Sequence, residues 1–359
     1  MDAGSPSSTS VGIVVSDLAA AVDFLREAGF ALQWIHPADS PRAARLRRDG
    51  TTLDVTLGTP TGATITIESS DPTPRDVRGP DGIVVHRRSP VGLVVPPVVE
   101  RTAFGPADVD ARWHVGRAGM EYRDLIPDRL GGALIASNIR IERAGPVPDY
   151  VHHHDVLFQL IFCRRGWVEV VYEDQGPPFT LHAGDCVIQP PHIRHRVLAN
   201  SDGMEVVEIG YPAEHLTLVE PDLRLPNGVD PARRWDGQAF VHHHEKNRRW
   251  TAAGDGVQRT DTGVRTATNG LADVEVIRMH AGGRHELPAL TEAGRPRFVF
   301  VLSGETDTSV DGRTVRLAEG ASATIRAVDS AAFTTRAGAE LLVVTVDCSR
   351  DPAYWRPIA

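Results

Sequence analysis

Histidines and one glutamine in the middle of the chain have the spacing of a metal site. His152-His153-His154 comes first, Gln159 follows after four residues, and His195 lies further along. Because side chains alternate between the two faces of a β-strand, His152 and His154 would share one face. Two imidazoles on one face, a polar side chain on the next strand and a later histidine suit a divalent metal. These ligand types fit Fe, Mn, Ni, Co, Cu or Zn without selecting one of them.

The same segment resembles the two cupin motifs. The first motif is His-x-His, four residues, a ligand, six residues and Gly, and the second is Gly, five residues, Pro and a later His. The matching residues are His152, His154, Gln159, Gly166, Gly184, Pro190 and His195. The resemblance covers roughly residues 111–225 and implies a β-barrel whose metal ligands are His152, His154, Gln159 and His195. Many cupins have lost their metal, but a site that keeps every imidazole favours a metal-binding barrel.

Two residues depart from the usual cupin pattern. Gln159 stands where glutamate is usual, and His192 stands where a second glycine is common. The neutral amide leaves the site more positive and removes a possible carboxylate base from the metal ligands. A group that moves protons is therefore expected nearby, and His192, Tyr172 and Glu169 are the catalytic candidates. Glu205 and Cys163 are further side chains that could take this role.

Three functional hypotheses follow from the resemblance. Four protein ligands on an octahedral metal leave two positions for a bidentate substrate, or for substrate and dioxygen. The first hypothesis is a metal-dependent dioxygenase acting on a small oxygen-rich or carboxylated metabolite, with Fe(II) favoured. The second is a redox-neutral isomerase, decarboxylase or lyase at the same site. The third, a non-catalytic small-molecule sensor, is disfavoured by the retained ligands and by the absence of a helix-turn-helix or basic region.

Composition sets limits on partners and on cellular compartment. The 359 residues carry a net charge of −9, which argues against nucleic acid or an anionic membrane as partner. Three cysteines without paired spacing fit a reducing cytoplasm better than a disulfide framework. No apolar run approaches the ~20 residues of a membrane helix, and the N-terminus lacks the features of a signal peptide. We therefore expect a cytoplasmic protein with a small-molecule substrate and a possible homodimeric state.

The N-terminal segment predicts a small α+β module. After a polar tail over residues 1–9, a strand near residues 11–15, a helix over 18–28 and strands near 31–35, 43–46 and 51–57 give a βαβββ order, and a further strand lies near 63–67. Val11 to Asp17, Ala21 to Leu25, Gly29-Phe30 and Gly50 resemble a module of the glyoxalase and extradiol-dioxygenase superfamily. Such modules place a metal histidine near the first strand, where this chain has Ser10 and Val11. We therefore expect no metal here, and removal of residues 1–75 should leave the metal site intact.

The rest of the chain predicts a linker and two barrels. The boundaries are 1–75 for the module, 76–110 for a linker with short strands near 83–86 and 91–95, 111–225 for the metal-binding barrel and 226–359 for a second barrel. Many short strands between Gly and Pro turns predict a mainly β fold with two double-stranded β-helix barrels. Residues 297–304 repeat the pattern of 159–166, with Arg297 in place of Gln159 and Ala331 near the place of His195. The second barrel is therefore expected to be metal-free, and His242-His243-His244 is interpreted as a solvated loop.

Overall fold

A computed structural model describes residues 8–48, 50–60, 64–68, 75–78, 84–88, 92–107 and 112–355. The chain forms two compact units. The first consists of Met1–Val94, Tyr150–Asp155 and His215–Arg224, and the second of Val95–Asp149, Val156–Glu214 and Leu225–Ala359. Residues 1–7 of the predicted tail lie outside the described residues, whereas its last two residues, Ser8 and Thr9, belong to the first strand.

Strands dominate the described residues. The first twelve are β1 (Ser8–Val15), β2 (Ala31–His36), β3 (Ala43–Arg48), β4 (Thr51–Leu57), β5 (Thr64–Glu68), β6 (Arg75–Arg78), β7 (Val84–Arg88), β8 (Ala103–Gly105), β9 (His114–Val115), β10 (Glu121–Asp124), β11 (Ile135–Ile141) and β12 (Gly145–Pro146). The next nine are β13 (His152–His154), β14 (Phe158–Arg165), β15 (Trp167–Tyr172), β16 (Phe179–His182), β17 (Cys186–Ile188), β18 (His195–Asn200), β19 (Met204–Tyr211), β20 (Thr217–Val219) and β21 (Val241–His243). The last nine are β22 (Thr251–Gly254), β23 (Val257–Asp261), β24 (Ala272–Met279), β25 (Arg284–Leu287), β26 (Arg297–Val310), β27 (Arg313–Ala318), β28 (Ser322–Ile325), β29 (Ala331–Thr334) and β30 (Ala339–Val346). The α-helices are α1 (Leu18–Glu27), α2 (Val264–Ala267) and α3 (Pro352–Trp355), and Arg117–Gly119 and Glu245–Asn247 form 3-10 turns.

The first unit contains the predicted βαβββ elements. Helix α1 begins after Asp17, whose carboxylate accepts a hydrogen bond of 3.0 Å from the backbone N–H of Ala20. Its buried Leu18 and Val22 pack with sheet residues that include Leu46 and Val55. Within this unit β1 lies between β4 and β5, β3 pairs with both β2 and β4, and β2 continues to β20. Strand β20 in turn pairs with β13, so the predicted ligands His152 and His154 belong to this unit.

The segment predicted as a linker contains strands at positions where none was expected, and it lacks one strand that was expected. Strands β6 and β7 pair with each other, and β7 also pairs with β5. The predicted strand at 91–95 is wrong for residues 92–95, which have no regular structure, and Val91 lies outside the described residues. Strand β8 pairs with β28, which places this end of the predicted linker in the second unit.

The second unit has two sets of facing sheets. In the first set, β21, β17, β14, β19, β11, β10 and β9 form one sheet, and β15 pairs with β16 and β18. In the second set, one sheet runs through β22, β23, β24, β30, β26, β28 and β8, and β25, β29 and β27 pair around the far half of β26. Each set encloses its own apolar core, one including Tyr122 and Val170 and the other Val299 and Phe333. Alternating inward-facing residues on both sheets account for this packing.

The predicted internal repeat is visible in strand register. Tyr172 pairs with His195 in the first set of sheets, and Val310 pairs with Ala331 at the corresponding place in the second. Gly166 and Gly304 both have positive φ, 68° and 75°, at the corresponding turn positions. A Cβ atom on Gly304 would lie 2.3 Å from the carbonyl oxygen of Gly338, so this position requires glycine.

Among the described residues, no helix is long and apolar enough to cross a membrane. Cys163, Cys186 and Cys348 are free thiols.

Candidate metal centre

Strand β13 carries the first two predicted ligands. His152 and His154 are buried, and their ring centroids lie 5.1 Å apart at an interplanar angle of 88°. Nδ1 of His152 lies 2.8 Å from the carbonyl oxygen of Tyr150, so this nitrogen donates its proton. Nδ1 of His154 lies 3.1 Å from Oγ1 of Thr217 on the paired strand β20. These partners orient both rings so that Nε2 is the nitrogen that would donate to a metal.

His195, at the start of β18, shows the same arrangement. Its Nδ1 lies 3.0 Å from the carbonyl oxygen of Ile193 and donates to it. Burial lowers the pKa of His195 to about 4, with the nearby Arg117 acting in the same direction. The imidazole is therefore neutral near pH 7, which is the form that binds a metal.

His152, His154 and His195 form a group of side chains that could hold a metal ion. One ring nitrogen from each of His152, His154 and His195 lies within 4.8 Å of the other two. His153, between two of them, belongs to no such group and has its Nδ1 3.7 Å from Oε1 of Glu220. This difference follows from strand alternation.

Gln159 lies on β14 with its side chain 1% exposed. Its amide nitrogen donates to a carboxylate oxygen of Glu208 on the adjacent strand β19. Its Oε1 is buried and has no hydrogen-bond partner among the described residues. A buried carbonyl oxygen without a partner is costly, and a metal ligand is one way to satisfy it. Three imidazoles and the amide oxygen of Gln159 are donor types that fit a divalent metal, and Gln159 as the fourth ligand stays a prediction.

Tyr172 is buried within the first core, beside His195. Its ring stacks on His195 with centroids 5.4 Å apart and an interplanar angle of 27°. Its hydroxyl accepts a hydrogen bond of 2.9 Å from the side-chain amide of Gln189. Burial raises the pKa of the Tyr172 hydroxyl, the Gln189 bond opposes this, and the charge of Glu208 adds to it. Tyr172 is therefore protonated near neutral pH and can donate a hydrogen bond.

Glu208 and Gln189 are the polar residues of this region that sequence reasoning missed. Glu208 follows the inward-facing Met204 and Val206 at intervals of two, so strand alternation already indicates an inward side chain. Glu205, one of the candidates from the sequence, faces the other side and forms ion pairs with Arg164 and Arg165 at 2.7 and 3.1 Å. The carboxylate that contacts a predicted ligand is thus Glu208, through Gln159.

Glu169 lies outside this group. On β15 the core residues Val168, Val170 and Tyr172 share one face, and Glu169 occupies the other. Alternation thus separates two of the three catalytic candidates, and the prediction overlooked it. Cys163 is also a poor proton donor, because burial raises the pKa of its thiol to about 12.

His192, the third candidate, has an unusual backbone. Its φ of 63° lies in the left-handed region that favours glycine. This explains why glycine is common at that position of the motif. The side chain is half-buried.

The corresponding region of the second barrel has different chemistry. The guanidinium of buried Arg297 donates to the carbonyl oxygens of Pro288 at 2.6 Å and Arg326 at 2.9 Å, and also to that of Asp329. Backbone carbonyl oxygens therefore satisfy much of this buried guanidinium. Among the described residues, His280 and His285 belong to no group of metal-binding side chains. The absence of metal from this barrel stays a prediction.

The interpretation of His242-His243-His244 as a solvated loop is wrong. Val241–His243 form strand β21, which pairs with β17. The ring of His242 stacks on Phe179 with centroids 4.4 Å apart. Backbone pairing and ring stacking therefore hold a polar segment that looked like a loop in the sequence.

Comparison with known proteins agrees with this fold. Residues 142–209 match the cupin domain family. Oxalate decarboxylase from Bacillus subtilis superposes with a TM-score of 0.51 at 12% identity, covering 72% of this chain and 78% of that one. Lactobacillus farciminis oxalate decarboxylase gives 0.51 at 14%, covering 72% and 88%, and protein Ylba from E. coli gives 0.50 at 12%, covering 72% and 94%. No curated protein matches the chain.

The chain thus contains a cupin domain within a mainly β fold of two cupin barrels. This confirms the predicted fold class. The resemblance of the N-terminal module to glyoxalases stays a prediction, as do the predicted domain boundaries. The solved relatives do not favour a dioxygenase or iron in particular.

Proposed function

We propose that this protein is a metal-dependent cupin enzyme that carries out redox-neutral chemistry on a small carboxylated or oxygen-rich metabolite. Isomerisation, decarboxylation and elimination belong to this class. The observation that carries the proposal is the unpartnered Oε1 of Gln159, whose amide nitrogen is held by the carboxylate of Glu208. This pair provides a ligand oxygen and a proton-accepting group in neighbouring positions.

The ligand set favours this chemistry over oxidation. A divalent metal bound here would act as a Lewis acid towards a carboxylate or carbonyl oxygen of the substrate. The donors from His152, His154, His195 and Gln159 are all neutral, so they leave the full double positive charge for a substrate oxyanion. A glutamate in place of Gln159 would cancel one of these charges. An uncharged donor set also disfavours the higher oxidation states used in oxygen activation.

Glu208 and Tyr172 are proposed to handle the proton. The carboxylate of Glu208 is held by the amide of Gln159, which fixes its position without neutralising it. The protonated hydroxyl of Tyr172 is held by Gln189, and its pKa responds to the charge of Glu208. One side chain can thus accept a proton and the other can donate a hydrogen bond, as acid–base catalysis requires.

The solved relatives add support at the level of fold. Two are oxalate decarboxylases, and one study of the Bacillus subtilis enzyme concerns its Mn(II) centres. At 12–14% identity these neighbours do not define the substrate of this chain. They motivate manganese as the first metal and small carboxylic acids as the first substrates to test.

The test compares turnover with and without oxygen. Metal content is measured first by mass spectrometry. Manganese-loaded protein is then incubated with 2-hydroxy, 2-oxo and dicarboxylic acids, with oxygen excluded or admitted, while products and oxygen uptake are followed. We expect product without oxygen uptake. Turnover that requires oxygen would restore the dioxygenase hypothesis, and metal binding without turnover of any acid would favour the sensor.

A matched pair of variants tests the proton-moving group. Glu208→Gln keeps a side chain that can accept from Gln159 but cannot accept a proton, so we expect metal to remain and turnover to fall by about 10²–10⁴-fold. Glu169→Gln makes the same change at a carboxylate on the face of β15 that points away from the core, and it serves as the matched control. If Glu169→Gln rather than Glu208→Gln abolishes turnover, the role belongs to Glu169, which is one of the three catalytic candidates from the sequence.

A further inference from the structure

Asp185, His242 and His244 form a second group of metal-binding side chains, here called the Asp185 cluster. One potential ligand atom from each residue lies within 4.8 Å of the other two. Oδ2 of Asp185 lies 3.9 Å from Nε2 of His242 and 3.8 Å from Nδ1 of His244. The two imidazole centroids are 3.7 Å apart.

Strand pairing builds the cluster. In the β17–β21 pair, Val187 lies opposite His242 and Cys186 lies opposite His243. His242 and His244 are two residues apart and point to the same side, whereas His243 between them points away. Asp185 directly precedes β17, which brings its carboxylate to the two imidazoles. Phe179 stacks on His242 and fixes the plane of that ring.

The carboxylate of Asp185 is held in position. Its side chain is 5% exposed. Oδ2 accepts a hydrogen bond of 3.0 Å from the backbone N–H of His182, and Oδ1 accepts one of 2.6 Å from that of Glu245. These bonds orient the carboxylate and leave lone pairs for a cation.

The connecting segment is packed closely against the turn that carries Asp185. A Cβ atom on Gly184 would lie 2.4 Å from Cγ of Glu245, and the φ of Gly184 is +95°. Arg248 donates a hydrogen bond of 2.6 Å to the carbonyl oxygen of Gly184. The cluster is therefore assembled by contacts other than its own ligand atoms.

The ligand atoms themselves lack ordinary hydrogen bonds to one another. Separations of 3.8–3.9 Å are too long for a hydrogen bond. Nε2 of His242 is buried and has no hydrogen-bond partner among the described residues.

We propose that the Asp185 cluster is a second divalent-metal site, suited to Zn²⁺, separate from the candidate metal centre. Zinc bonds of about 2.0–2.2 Å in tetrahedral geometry separate their donor atoms by about 3.3–3.5 Å. Closing the two carboxylate–imidazole separations of 3.9 and 3.8 Å to these values needs side-chain shifts of roughly half an ångström. Two imidazoles and one carboxylate leave a fourth position for water on the side of His244, whose side chain is 36% exposed. The metal would fasten the segment that contains β21 to the turn before β17.

Zinc titration of the full-length protein tests this site. Chelator-treated protein is titrated with Zn²⁺ against a chromophoric indicator, and the thermal midpoint is recorded with and without Zn²⁺. The variants are His244→Gln, His242→Gln, His195→Gln at the candidate metal centre, and His243→Gln as the matched control on the opposite face of β21. Because His244 lies at the surface, its replacement is expected to leave the fold intact, and circular dichroism checks this.

We expect two zinc equivalents for the wild type and the His243→Gln control, and one each for His244→Gln, His242→Gln and His195→Gln. In His195→Gln, zinc should still raise the thermal midpoint, and adding His244→Gln should abolish that rise. Retention of both equivalents in His244→Gln and His242→Gln would overturn the proposal. A wild type that binds a single equivalent, lost in His195→Gln, would overturn it as well.

Discussion

Replacing Gln159 by glutamate tests the contact between this residue and Glu208. The substitution restores the usual cupin ligand but exchanges an amide donor for a second carboxylate at hydrogen-bond distance from the first. Two carboxylates that share one site cannot both ionise without cost, so one must hold a proton in the metal-free protein. We therefore expect Gln159→Glu to destabilise the metal-free protein near neutral pH.

The magnitude follows from the cost of holding that proton. Keeping a glutamic acid of ordinary pKa protonated costs about 3–4 kcal/mol at pH 7 and about 1 kcal/mol at pH 5. The shared proton raises the pKa of the pair in the folded protein above its unfolded value. The contribution of this protonated pair to the free energy of unfolding is thus fully present at low pH and is lost as pH rises towards 7. The O–H···O⁻ bond replaces the original N–H···O⁻ bond, so the two hydrogen bonds largely offset each other.

Denaturation of chelator-treated protein between pH 4.5 and pH 7.5 provides the assay. The double variant Gln159→Glu, Glu208→Gln is the control, because it reverses the pair and restores an amide donor opposite one carboxylate. We expect the double variant to recover most of the stability lost at pH 7. With metal present, both variants should bind it more tightly than the wild type, since their ligand set carries a negative charge. Equal stability of the single and double variants at pH 7 would show that Gln159 and Glu208 do not interact as described.

Four further predictions concern the same centre. Replacing any of the three histidine ligands by alanine should remove metal, whereas Gln159→Ala should weaken it less because an amide oxygen is a weaker donor; metal content of the purified variants measures this. Thr217→Val removes the partner of His154 Nδ1 and should lower metal affinity by about 10–100-fold, whereas Thr217→Ser should retain it in the same titration. Because His192 has a left-handed backbone, the His192→Gly variant should be more stable than His192→Ala by about 1 kcal/mol, as measured by denaturation. Loss of turnover in both variants would support a catalytic role for the His192 side chain. Deleting residues 1–75 removes β2 from the edge of β20, the partner of β13, so we now expect lower metal affinity rather than an intact site; unchanged affinity of the truncated protein would contradict this.

The sequence alone determined those features that depend on local order along the chain. The spacing of His152 and His154 indicates that their side chains share a strand face, because alternation holds over a few residues. The helix after Asp17 and the repeat of the Gly166 turn at Gly304 are likewise local signals. Such signals sufficed for the fold class and for three histidines that the structure brings together.

Tertiary structure decided which distant side chains meet these residues. Gln159 contacts Glu208 across 49 residues of chain, and His154 contacts Thr217 across 63. His242 reaches Asp185 only because β21 pairs with β17 in one particular register. Register between distant strands depends on the packing of both sheet faces, and a shift by one residue would turn each of these side chains to the other face. The ligand types could therefore be read from the sequence, whereas the partners that orient them depend on the three-dimensional fold.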